Sequence, residues 1–146
     1  MIILKNLFQF NVPISDLILI YTLYIRSVLE QSAVVWHSSI TKGEELDIER
    51  VQKVALRIIL SEQYTCYSEA LELTGLDSLK LRRKKLCLNF AKKCLKSELT
   101  RDIFNENNSH LNTRNPQKFQ VPFARTERLA KSAIPYMTKL LYQDYV

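Results

Sequence analysis

Residues 15–60 read SDLILIYTLYIRSVLEQSAVVWHSSITKGEELDIERVQKVALRIIL. This stretch decides the fold. From Leu17 to Leu29 nearly every position is apolar or tyrosine, with only Thr22, Arg26 and Ser27 interrupting. A helix apolar almost all round is one packed on more than one side. The spacing therefore predicts a central helix, with Pro13 ending what precedes it, Ser15 as N-cap and Asp16 in the first turn. Thr41-Lys42-Gly43-Glu44 is a capping-box pattern that opens a second helix. There Leu46 or Asp47, Val51, Val54, Ala55, Ile58 and Ile59 recur at i, i+3, i+4 spacing, while Glu44, Glu45, Glu49, Arg50 and Lys53 take the other side. Between the two helices lies a short joint with the only tryptophan, Trp36.

Outward from this pair the chain stays helical. Residues 1–12 form an apolar lead-in. Thr65 to Thr74 reads as a short helix closed by Gly75. Ser78 caps a further helix from Leu79 to about Leu95. A last one starts at Ser132, carries Pro135 in its first turn and reaches about Tyr142. Only two glycines occur in 146 residues, which disfavours strand-rich folds that spend glycine at turns. The expectation is all-α: a small bundle of about four to five helices with an irregular basic C-terminal segment. By residue it divides into a helical domain at 1–99, a basic linker at 100–131 and a C-terminal helix at 132–146. The polar run Asn105 to His110 and the prolines Pro116 and Pro122 mark the linker as loop.

Membrane and export signals are not read here. The apolar run Leu17 to Ile25 ends at Arg26, far short of the roughly 20 residues a spanning helix needs. The start MIILKNLFQF has no small-residue cleavage site. An intracellular, unsecreted protein is expected. Cys66, Cys87 and Cys94 form no C-x-x-C pair and read as small core residues in a reducing compartment.

The net charge of +6 is concentrated. Residues 79–99 hold eight basic groups against Glu98 alone, whereas residues 41–78 hold four basic and eight acidic groups. On a wheel of about 100° per residue, Arg82, Lys85, Asn89, Lys92, Lys93 and Lys96 share one arc of about 100°. Leu79, Leu86, Cys87, Leu88, Phe90, Ala91, Cys94 and Leu95 fill the remainder. Most charge runs are solvated faces. This one has no acid within it, and its sign continues through Arg114, Lys118, Arg125, Arg128 and Lys131. Such a surface suits phosphate contacts, which give affinity without reading sequence. The candidate nucleic-acid-binding residues are thus Arg82, Lys85, Lys92, Lys93 and Lys96. Phe90 is expected in the core, and Phe104, Phe119 and Phe123 fall in the tail.

Catalytic chemistry has no foothold. His37 and His110 stand without a partner for nucleophilic catalysis or a zinc-ligand spacing. A glycine-rich phosphate loop is excluded by the presence of Gly43 and Gly75 alone. Two-metal transfer needs clustered carboxylates, yet Asp16, Asp47, Asp77, Asp102 and Asp144 are widely spaced. The acids Glu44, Glu45, Asp47 and Glu49 suit the start of a helix through its macrodipole. No catalytic residue, metal or cofactor is expected.

The order of motifs resembles a known family. Tyr24-Ile25-Arg26-Ser27-Val28-Leu29-Glu30, then Val35-Trp36-His37-Ser38-Ser39, resembles the helix and joint just after the palm of non-LTR retrotransposon reverse transcriptases, the jockey-like elements above all. Glu49-Arg50-Val51-Gln52-Lys53 with Ala55-Leu56-Arg57-Ile58-Ile59 is similar to their next helix. The similarity continues through Glu69-Ala70-Leu71, Arg83-Lys84-Lys85-Leu86-Cys87, Phe90-Ala91-Lys92-Lys93, Asn112-Thr113-Arg114, Val121-Pro122-Phe123-Ala124-Arg125-Thr126 and Ser132-Ala133-Ile134-Pro135-Tyr136. The resemblance implies a thumb and the segment after it, without the palm and its Tyr-x-Asp-Asp type motif, hence a non-catalytic C-terminal fragment of an RNA-directed DNA polymerase. Its implied partner is an RNA–DNA hybrid or other nucleic acid held through phosphates. The alternative is a helical protein-interaction module in which the apolar N-terminal surface takes a partner or a second copy.

Overall fold

A computed structural model of the chain describes residues 1–104 and 119–145. The fold is all-α, with no strand among the described residues. In order the helices are α1 (Ile2–Gln9), α2 (Ile14–Ile20), α3 (Ser27–Glu30), α4 (Ala33–Trp36), α5 (Lys42–Leu60), α6 (Tyr67–Thr74), α7 (Leu79–Lys96), α8 (Glu127–Ala130) and α9 (Ala133–Tyr145). The count exceeds the four to five expected. Single-turn helices such as α4 and α8 are too short to leave an amphipathic period in sequence. No helix among the described residues is long and apolar enough to cross a membrane. Two compact units form, one of Met1–Gln31 with Thr41–Arg82, the other of Ser32–Ile40 with Arg83–Val146.

In the first unit, α2 runs into a π-helical turn, Tyr21–Arg26, and on into α3. The hydroxyls of Thr22 and Ser27 donate to the carbonyls of Leu19 and Leu23 within this stretch. Side-chain bonds of this kind compete with the helical ladder and bend it. Pro13, not Ser15, occupies the N-cap, and Ser15 spends its hydroxyl on Asp16. The central helix is also less enclosed than its composition implies. Leu17 and Tyr21 are buried with Leu4, Ala55 and Ile59, whereas Leu19, Leu23, Tyr24 and Val28 are exposed. Helices α1 and α5 pack on it, and the face away from them stays open.

Helix α5 begins as its motif predicts. The Thr41 hydroxyl accepts from the Glu44 N–H, and the Glu44 carboxylate accepts from the Thr41 N–H at 2.8 Å. The Thr41 N–H and the Thr41 hydroxyl, both donating to it, hold the Glu44 carboxyl below its usual range. Its buried side differs from the expected one. Glu49, Gln52, Ala55, Leu56, Ile59 and Leu60 are buried, whereas Leu46 is exposed. Two polar residues thus hold core positions, which buried polar groups do when hydrogen-bonded. Gln52 accepts from the Tyr21 hydroxyl at 3.1 Å and donates to the Asp77 carbonyl at 3.0 Å. Burial, with the nearby acids, keeps the Tyr21 phenol protonated well above its ordinary range. Gly75 ends α6 at φ +64°, and the N–H groups of Gly75 and Leu76 return to the carbonyls of Glu72 and Leu71, a Schellman motif.

The second unit has its own core. Cys87, Ala91 and Cys94 of α7 pack with Met137, Leu140 and Leu141 of α9, with Phe104 and Phe119, and with partly buried Val34 of α4. Burial pushes the Cys87 thiol up to about 11. Cys66, expected inside, is exposed in the first unit, because it precedes α6 at a cap position.

Candidate nucleic-acid interface

Helix α7 carries the candidate residues, and its first turn is held in the first unit. The Ser78 hydroxyl accepts from the Leu81 N–H at 3.3 Å. Glu49 of α5 accepts from the N–H groups of Leu79 and Lys80 and also takes the Tyr67 hydroxyl. A helix leaves its first N–H groups without internal partners. Here a carboxylate from another helix supplies two of the acceptors, and its charge suits the positive end of the dipole. Glu49 is therefore not one of a set of first-turn acids on α5.

The five candidate cations separate by environment. Arg82, in the first unit, is half-buried and forms an ion pair with Glu30 at 2.5 Å. Lys85, Lys93 and Lys96, in the second unit, are exposed. Lys92 lies between them on the same face and pairs with Asp144 of α9 at 2.6 Å. No acid interrupts the stripe along α7, yet Arg82 and Lys92 each meet an acid from elsewhere in the fold. The exposed cationic face of the second unit is carried by Lys85, Lys93 and Lys96, with Lys84 also exposed. Arg114 and Lys118 lie outside the described residues. Arg125, Arg128 and Lys131 are exposed. A cleft of about 460 Å³ is lined by Ser39, Glu127, Arg128 and Lys131. Lys131 is paired with Glu127, whose carboxyl that bond holds below its usual range.

Sequence reasoning missed the residue that the basic run places inside. Arg83 is 0% exposed. Its Nε donates to Nδ1 of His37 over 3.4 Å, and its guanidinium lies 5.6 Å from the centre of the Trp36 ring. An accepting Nδ1 leaves the proton on Nε2, which is 3.3 Å from the Tyr136 hydroxyl. His37 thus has partners that spacing did not reveal, and it is buried. His110 lies outside the described residues. The signal was present in the wheel: Arg83 falls between Leu79 and Cys87 on the apolar side. No group of three or more His, Cys, Asp or Glu side chains among the described residues is disposed to hold a metal ion.

Phe90 departs from expectation in the opposite direction. It is 45% exposed, while Phe104 and Phe119 of the same unit are buried. The buried line of α7 runs through Leu79, Arg83, Cys87, Ala91 and Cys94. On the wheel Phe90 falls between Leu79 and Arg83 of that line, and it is exposed all the same. No family model, curated protein or solved structure matches this chain.

Proposed function

We propose that the chain is the thumb and following region of a retrotransposon-derived RNA-directed DNA polymerase, non-catalytic by itself, which binds template–primer nucleic acid through the phosphates. The observation that supports it is the set of exposed lysines Lys85, Lys93 and Lys96 along three turns of α7. Consecutive lysines on a rigid helix track a phosphate backbone and read no base. A-form hybrids present their phosphates and 2′-hydroxyls to such contacts, so shape and charge suffice for binding. The resemblance of the motif order to jockey-like reverse transcriptases supplies the class of nucleic acid.

The test is binding of the chain to an RNA–DNA hybrid across a salt series, beside Lys85→Glu/Lys93→Glu/Lys96→Glu. Each lost phosphate contact reduces the slope of log K against log salt by about 0.9. The triple variant is expected to lower the slope by roughly two to three. Absence of binding at low salt by the folded wild type refutes the proposal.

A second reading rests on a different surface. Ile2, Ile3, Phe10, Leu19, Leu23, Tyr24 and Val28 of the first unit are exposed. Apolar exposure on that scale is what a protein-interaction surface presents. An association through it is nearly indifferent to salt, which separates it from phosphate binding.

A further inference from the structure

We infer that Phe90 is a base-stacking platform, so that the basic face of α7 prefers single-stranded to double-stranded nucleic acid. The inference rests on the phosphate-binding proposal and adds a second mode of contact to it.

A lone exposed phenylalanine carries no message, since apolar atoms make up much of any protein surface. The surroundings of Phe90 are less ordinary. The ring is 45% exposed and takes no part in the core that Cys87, Ala91 and Cys94 form on the same helix. Lys93 follows one turn later, about 60° round the helix axis, and Asn89 and Lys96 continue the polar arc from there. The neighbouring cations are exposed, and the ion pair with Asp144 engages Lys92 on the far side of that arc. An aromatic ring with an exposed lysine, Lys93, beside it and further exposed lysines farther round the helix is a combination with which single strands are held. The cations take the phosphates, and a base lies on the ring without being identified.

The same reasoning sets the preference. In a duplex the bases are already stacked on one another, and the faces are withheld from a side chain on a groove or backbone surface. A single strand offers them. Phosphate contacts from the exposed Lys93 and Lys96 serve both ligands, whereas the ring adds affinity for one. Stacking is worth enough per base to give roughly tenfold in affinity.

The experiment measures binding of the full chain to labelled oligo(U) and to an RNA–DNA duplex of equal length, for wild type, Phe90→Leu and Phe90→Trp. Leucine keeps the apolar bulk on the helix and removes the π face. Phe90→Leu is expected to weaken oligo(U) about tenfold while leaving duplex affinity and both salt slopes unchanged. Phe90→Trp is expected to restore oligo(U) binding, with an emission quenched by the oligonucleotide beyond any change seen from Trp36 in wild type. Unchanged oligo(U) affinity in Phe90→Leu overturns the inference. Equal losses on both ligands overturn it too, since they mark a change in the fold. If wild type binds with steep salt dependence and Phe90→Leu behaves identically, only stacking is lost and the phosphate reading stands. If wild type binds neither ligand at low salt, the phosphate reading falls and takes the inference with it.

Discussion

The carboxylate of Glu49 accepts hydrogen bonds from the N–H groups of Leu79, at 3.1 Å, and Lys80, at 3.3 Å. The start of the basic helix is thus held by a residue thirty positions earlier in the chain. Ionised acceptors make stronger hydrogen bonds than neutral ones, and a buried carboxylate with satisfied oxygens orients what it binds. Glu49→Ala is expected to lower stability by about 2–3 kcal/mol. Glu49→Gln, which keeps one acceptor, is expected to cost about 1 kcal/mol. Urea unfolding at neutral pH measures both, and midpoints equal to wild type in both variants would remove this contact from the account of α7.

Arg83 makes a second long-range connection, within the other unit. Its guanidinium lies between His37 and the only tryptophan, so fluorescence reports on it directly. Arg83→Met is expected to shift the Trp36 emission and to lower stability by about 2–3 kcal/mol, through the lost charge-assisted bond and the lost packing of the guanidinium. Lys93→Glu, on the exposed side of the helix, is expected to leave the emission where it is. An Arg83→Met spectrum identical to wild type refutes the arrangement.

The charges of the stripe are expected to divide by partner. Arg82→Ala loses the Glu30 ion pair and is expected to lower stability by about 1 kcal/mol with little change in salt-dependent binding. Lys93→Glu/Lys96→Glu is expected to do the reverse. Asp144→Asn releases Lys92 from its 2.6 Å pair and is expected to strengthen binding to a hybrid about threefold at low salt. Calorimetric affinities for the three variants, with thermal unfolding alongside, decide the division. Weaker binding by Asp144→Asn would contradict it.

Cys66 and Cys87 are expected to differ in reactivity. Cys66 is exposed, and hydrogen bonds from the Ser68 side chain and the Glu69 backbone lower its thiol from the ordinary 9.0. The thiolate is the reactive form, so Cys66 gains reactivity as pH rises through that lowered value. Cys87 is buried and raised to about 11, so it stays a thiol across the neutral range. One equivalent of a thiol reagent is expected to react in the native state near pH 8, at Cys66, with Cys87 and Cys94 following only on unfolding. Cys66→Ser removes the native-state equivalent. Any native-state equivalent remaining in that variant would show the core to be open to the reagent.

Local chemistry was legible where it is complete within a few residues. The Thr41/Glu44 capping box, the Gly75 stop and the Ser78 cap each need only neighbours along the chain, and each is formed. The all-helical class follows likewise from period and from the scarcity of glycine. Ser15 failed as a cap because Pro13 already begins the turn, and competition of that kind does not show in a motif.

The residues themselves therefore determined the helices, most of their ends and the concentration of positive charge on α7, since all three depend on spacing along one chain. Only tertiary structure decided which polar residues go inside. Glu49, Gln52 and Arg83 are polar or charged, yet each is buried because a distant group meets it: the start of α7, the Tyr21 phenol and the His37 imidazole. It also decided which lysines face solvent, because Asp144 comes from another helix, and it left Phe90 half exposed where periodicity had assigned it to the core. A wheel records the direction of a side chain from its own axis. What stands in that direction depends on the packing of other helices, and desolvation and pairing are settled there.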